Sequence, residues 1–196
     1  LIPVSPVFIP IQGKVNAMRT VSLFVGLVVA ATSFAAGAVD GTITFNGEVT
    51  DKTCTIATPQ GKDFTVTLPT VSSSTLAVAG QVAGRTPFSI NLTDCNPGDV
   101  ATYFEPGATI DLSSGRLNNT AAANAAGQVQ LQLLGDNSSF LPVVTAGAGS
   151  AQANSQWVTV AADGSANLNY FVEYYATGAA TPGEVTSSVK YTIIYN

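Results

Sequence analysis

The chain predicts an all-β fold, an antiparallel sandwich. Three observations carry this: short segments that alternate apolar and polar residues, clusters of Gly, Asn and Pro between them, and no convincing amphipathic helix. Residues 42–49 (TITFNGEV) set Ile43, Phe45 and Val49 on one face and Thr42, Thr44 and Asn46 on the other. Residues 64–68 (FTVTL) repeat the pattern with Phe64, Val66 and Leu68 inward. Residues 88–92 (FSINL) do so again, then meet the turn cluster Asp94-Cys95-Asn96-Pro97-Gly98. Residues 129–133 (VQLQL) alternate until Gly135-Asp136-Asn137 ends the run, and strands over 157–160, 168–175 and 185–195 complete the series. The stretch 121–126 (AAANAA) reads as a small-residue loop, and no internal repeat is visible.

Composition narrows the chemistry. At 196 residues the chain fits one domain, or two small ones, and 46% apolar content supplies a core although only 10% of residues are charged. There is no histidine, which removes the commonest general base and the commonest metal ligand together. A net charge of −5 without a Lys/Arg cluster argues against nucleic acid as a partner. Asp94, Asp99, Glu105 and Asp111 are scattered and are expected in loops, serving turns rather than acid/base work. Gly147-Ala148-Gly149 lacks the lysine and helix of a phosphate loop. Trp157, the one tryptophan, reads as a core residue, with a sugar-stacking platform as the alternative. No catalytic constellation, metal site or cofactor is expected, and the chain reads as no enzyme.

The N-terminus reads as a targeting segment. Met18-Arg19 opens a short basic region, Val21 to Phe34 form a charge-free apolar run, and small residues follow at 35–38. About 14 apolar residues fall short of the roughly 20 that a membrane-spanning helix needs, so a signal peptide over 18–38, cleaved near 35–38, is preferred to an anchor. Residues 1–17 precede that natural-looking start and read as an upstream stretch outside the mature protein. Cleavage would remove Lys14 and Arg19, leaving five basic residues (7 − 2) against twelve acidic ones, a net −7. The mature chain is not expected to be membrane-embedded.

Both cysteines, Cys54 and Cys95, lie in the exported part. An even count behind a signal peptide implies one disulfide in an oxidising compartment. Closing a loop of about 40 residues stabilises a fold by roughly 4 kcal/mol in the chain-entropy model. A metal pair is the alternative, but two thiols without histidine make a poor site, and redox thiols come closer together.

Residues 171–196 read FVEYY-ATGAATPG-EVTSSVKYTIIYN: an aromatic strand, a Gly/Pro turn, and a strand running to the carboxyl end. With a penultimate Tyr195 and with Gly183 fourteenth from the end, this segment resembles the C-terminus of the type 1 fimbrial major-subunit family. Two further matches fall in order. Residues 41–49 (GTITFNGEV), followed by Cys54, resemble the N-terminal extension that leads to that family's first cysteine, and 88–95 (FSINLTDC) resemble the segment around its second. Residues 96–155 match poorly, so nothing is carried over there.

The resemblance implies an incomplete immunoglobulin-like sandwich that lacks its last strand and is completed by a donor strand from a neighbouring subunit. It implies residues 39–50 as the donor extension and 51–196 as the pilin domain. Val39, Gly41, Ile43, Phe45 and Val49 would form the donor face. Gly183, Val189, Tyr191, Ile193 and Tyr195 would mark the C-terminal strand that meets a periplasmic chaperone before an outer-membrane usher exchanges it for the next subunit. The product would be a surface homopolymer supporting adhesion. Two plainer readings stand beside this: 42–49 as the first strand of a closed domain, and the C-terminal strand as a core edge with no partner. A glycan-binding adhesin or lectin module, or a minor adaptor pilin, is the alternative function.

Overall fold

The computed structural model describes Thr44, Gly47, Val49, Asp51 and residues 53–145 and 152–196. The expected signal peptide and the donor-face positions Val39, Gly41, Ile43 and Phe45 lie outside the described residues. Among the described residues ten strands follow in order: β1 (Thr55–Ile56), β2 (Val82–Thr93), β3 (Asp99–Glu105), β4 (Ile110–Asp111), β5 (Arg116–Asn118), β6 (Val129–Gly135), β7 (Phe140–Leu141), β8 (Val158–Thr159), β9 (Ala166–Ala176) and β10 (Lys190–Tyr195). One sheet has the order β1-β2-β9-β6-β5-β4, with β7 also paired to β6, and the other has the order β10-β3-β8. All the strand pairings are antiparallel.

The inward positions follow from the period of two. Ile90 and Leu92 of β2, Leu131 and Leu133 of β6, and Leu168, Tyr170 and Val172 of β9 meet Val100 and Phe104 of β3 in one buried cluster. Tyr170 stands edge-on to Phe104 with ring centroids 5.2 Å apart, a favoured aromatic geometry. Val129 to Gly135 is a strand as the alternation predicts, and Asp136 and Asn137 turn the chain where the turn cluster was expected.

Two elements escape a period-two reading. Ser73–Leu76 forms a single 3-10 turn, capped where the Ser74 amide donates to Ser72 Oγ, and it buries Leu76. In β2, Ala83 faces Tyr174 but Thr86 faces Val172, so Gly84 and Arg85 together oppose Glu173 in a β-bulge. Gly84 has φ of 66°, and a side chain there would meet the Tyr174 ring at 2.9 Å, so glycine suits the bulge on both counts.

Several expectations need correction. Asp99 and Glu105 lie on β3, and Asp111 ends β4, rather than in loops. Trp157 is 42% exposed, not core, because the strand beside it is only the two-residue edge strand β8. The final strand begins at Lys190, five residues later than the apolar pattern suggests. Before it, the chain from Glu184 runs beside the 119–126 loop: Glu184 N donates to Asn124 O at 2.7 Å, Ala126 N to Glu184 O at 2.9 Å and Thr120 N to Thr186 O at 2.7 Å. Apolar alternation cannot say which neighbour a strand pairs with, and here the neighbour changes midway.

Candidate functional site: a groove between two extended segments

Cys54 and Cys95 form the disulfide, with Cα atoms 4.2 Å apart across 41 residues of sequence. It sits where Thr55 faces Thr93, pinning β1 to the end of β2. Beyond β1 the chain leaves the sheet. Phe64, Val66 and Leu68 are half-buried against the core while Thr65 and Thr67 are exposed, so the predicted alternation holds. The predicted strand does not. Residues 62–71 belong to no strand and make no backbone–backbone hydrogen bond with the described residues. An extended segment needs a neighbour to become a strand, and none of the described residues pairs with this one.

The second wall is β10. Its Lys190 pairs with Glu105, Tyr191 with Phe104, and so on to Tyr195 with Val100, so one edge is fully used by β3. The other edge has no strand partner among the described residues. Tyr191, Ile193 and Tyr195 are half-buried toward the core, as is Val189 just before the strand. These four thus share the core-facing side, although Val189 precedes the strand rather than belonging to it. Gly183 lies outside β10. It packs on the backbone of Asn124, Ala125 and Ala126 so closely that any side chain would collide with it, which makes it a close-packing glycine of the chain crossing.

Between residues 62–68 and 187–191 lies a groove of about 650 Å³. Its floor is apolar: Ile90, Leu131, Leu133 and Val172 from the larger sheet and Phe104 from the smaller. Two tyrosines of β10 span toward the opposite wall. Tyr191 donates its hydroxyl to Lys62 O at 2.8 Å, and the Cys54 amide donates to Tyr195 Oη at 3.1 Å. Burial, with the Asp63 carboxylate nearby, pushes the Tyr191 phenol above its usual range, so it stays a neutral donor at physiological pH. Val49, the described donor-face position, is fully exposed and lies in no strand.

Two features had no clear signal in the sequence. Gln152 is buried, and its side-chain amide accepts from Phe104 N at 2.8 Å and donates to Phe104 O at 2.7 Å, occupying the β3 edge past the end of β8. On the face of the larger sheet away from the core, the buried Glu173 accepts from Arg85 Nε at 2.8 Å and from Gln132 Nε2 at 2.7 Å. Arg116 Nε donates to Gln132 Oε1 at 3.0 Å, and its guanidinium lies 3.6 Å from the Tyr175 ring centroid. Only the bulge at Gly84 brings Arg85 opposite Glu173, and a bulge cannot be read from residue types.

Together the two sheets, the unpaired extended segment and the open apolar groove define an incomplete immunoglobulin-like sandwich of the pilin type. Among the described residues no group of three or more His, Cys, Asp or Glu side chains could hold a metal. A family model for type-1 fimbrial protein, A matches residues 68–196. The major fimbrial subunit SMF-1 of Stenotrophomonas maltophilia (strain K279a) is 72% identical over 169 residues, 86% of this chain and 100% of that protein. The F17 fimbrial protein of Escherichia coli is 44% identical over 184 residues, covering 91% of this chain and 99% of that one. A solved chaperone–usher pilus shares the fold with a TM-score of 0.55 at 21% identity, covering 81% of this chain and 96% of that one. The chain belongs to the type-1 fimbrial protein family, as a structural subunit of a cell-surface fimbrium.

Proposed function

We propose that the groove takes the N-terminal extension of the next copy of this chain as its missing strand. The observation that carries this is an edge of β10 that no described strand uses, above an apolar floor and facing an extended wall that makes no backbone bond to the described residues. A strand laid there pairs with both walls, with backbone bonds giving affinity and alternate side chains giving register. Residues 39–50 are the donor, with Val39, Gly41, Ile43, Phe45 and Val49 on its inward face, and 51–196 the acceptor domain. Burying the three large residues Val39, Ile43 and Phe45 contributes roughly 5–9 kcal/mol gross, and each ladder hydrogen bond about 0.5–1.5 kcal/mol. Ordering the extension costs part of that.

Before assembly, a periplasmic chaperone fills the same groove along Val189, Tyr191, Ile193 and Tyr195, and an outer-membrane usher directs the exchange. The subunit thus passes from the periplasm to the surface fimbrium, after loss of the targeting segment 18–38. On this reading the protein is a building block without catalysis. The groove also satisfies an otherwise hazardous feature, since an unprotected strand edge invites pairing with any other chain. The test is Phe45→Asp, which places a charge on the donor face only. Fibres should be lost while chaperone-bound subunit persists in the periplasm; normal fibres from this variant would remove the donor assignment.

A further inference from the structure

The two walls of the groove are held very differently. β10 is anchored by its ladder to β3. Residues 62–71 form no ladder with the described residues, and the one hydrogen bond they make to them is the one from the Tyr191 hydroxyl to Lys62 O. That wall also has space behind it: a second cleft of about 250 Å³ separates residues 64–67 from Thr86 to Ser89 of β2. The segment between Gln60 and Leu68 is therefore flanked by open space on both sides, and one phenol bridges it to β10.

We infer that Tyr191 is a latch: its bond to Lys62 holds the 62–68 wall toward β10 in the unpartnered subunit, and strand entry requires that bond to open. This rests on the strand-acceptor reading above. A strand inserted between the walls needs a neighbour spacing of about 4.7–4.9 Å on each side, so the walls must stand about 9.5 Å apart along its length. The Tyr191 side chain lies across that lane, and the cleft against β2 leaves the wall room to shift. The hydroxyl is the latch, while the ring packs on the core cluster. Tyr191 thus acts as a positioning residue that sets how fast the groove opens, without touching how well the filled groove is packed. Tyr195 differs, because its partner Cys54 is fixed by the disulfide and by β1.

Tyr191→Phe removes the hydroxyl and keeps the ring. Two measurements on the mature chain test it. Spin labels at Thr65→Cys and Lys190→Cys, both exposed positions, report the distance between the walls. Tyr191→Phe should broaden that distribution toward longer separations, and an unchanged distribution overturns the latch whether or not any peptide binds. Uptake of a peptide of residues 36–50 should be about two- to tenfold faster in the variant, the scale of one net hydrogen bond, with an unchanged off-rate. Tyr195→Phe should leave the wall distance unaltered. Equal uptake rates in Tyr191→Phe and the parent chain also overturn the latch. A chain whose wall distance responds to Tyr191→Phe but which takes up no peptide keeps the latch and refutes the strand-acceptor reading.

Discussion

The two edges of β10 present the same backbone chemistry and meet different fates. Toward β3, six consecutive residue pairs from Lys190–Glu105 to Tyr195–Val100 satisfy the strand, and Gln152 extends the cover along the far side of β3. On the other side, among the described residues, only side chains reach across, Tyr191 to Lys62 in the 62–68 segment and Tyr195 to Cys54 ahead of β1. Both sides rest on the same apolar cluster. Apolar patterning alone therefore fills a core but does not finish a sheet. The side where no described strand pairs is the side where the chain supplies half-buried Phe64, Val66 and Leu68, none with a backbone partner among the described residues.

This contrast can be broken at the root of the weaker wall. Cys54→Ala frees the start of the 54–68 segment from β2 and should cost about 4 kcal/mol, by the loop-closure estimate for a bridge spanning 41 residues. Denaturant unfolding of the chaperone-free subunit reads it, and an unchanged midpoint would show that β1 pairing alone fixes that wall.

A smaller effect is expected on the approach to β10. Gly183→Ala puts a methyl group onto the backbone of Asn124–Ala126, and the crossing must shift. Overpacking of this kind costs about 1–3 kcal/mol, measurable as a lower Tm. Since the collision lies before β10, peptide uptake by the groove should survive; loss of uptake with normal stability would instead give Gly183 a direct role in the groove.

The smallest effect belongs to a turn away from both edges. The Asp111 carboxylate accepts from Ser113, Ser114 and Gln130, and the Ser113 bond does most to hold its pKa well below the usual range. The folded pKa is below the unfolded one, so this contribution is present above about pH 4 and is lost as pH falls through the lowered value. Asp111→Asn should flatten the fall in Tm on acidification, and an identical acid profile would show that other carboxylates dominate it.

Much of this was legible in the residues. The all-β class follows from period-two alternation, and the face assignments at Phe64, Val66, Leu68, Ile90, Leu131 and Leu133 hold, because alternation reports which side is buried. Pairing is another matter. Alternation at 64–68 looks the same whether or not a neighbour exists, and at 185–195 it hides the change of partner at Lys190. Trp157 was misplaced because a large apolar residue near a strand is usually covered, but β8 is a two-residue edge. The Arg85–Glu173–Gln132 bonds depend on a bulge, and Gln152 on a loop approaching β3 from 48 residues away. Both are tertiary accidents that local patterns do not record.

The central claim, an acceptor domain completed by a neighbour's extension, is tested most directly by unfolding residues 51–196 in denaturant with and without a peptide of residues 36–50. The domain alone should show a low midpoint, and the peptide should raise its stability with concentration, by about 2.7 kcal/mol at a hundredfold excess over Kd. A domain already stable alone, with a midpoint that ignores the peptide, would contradict it.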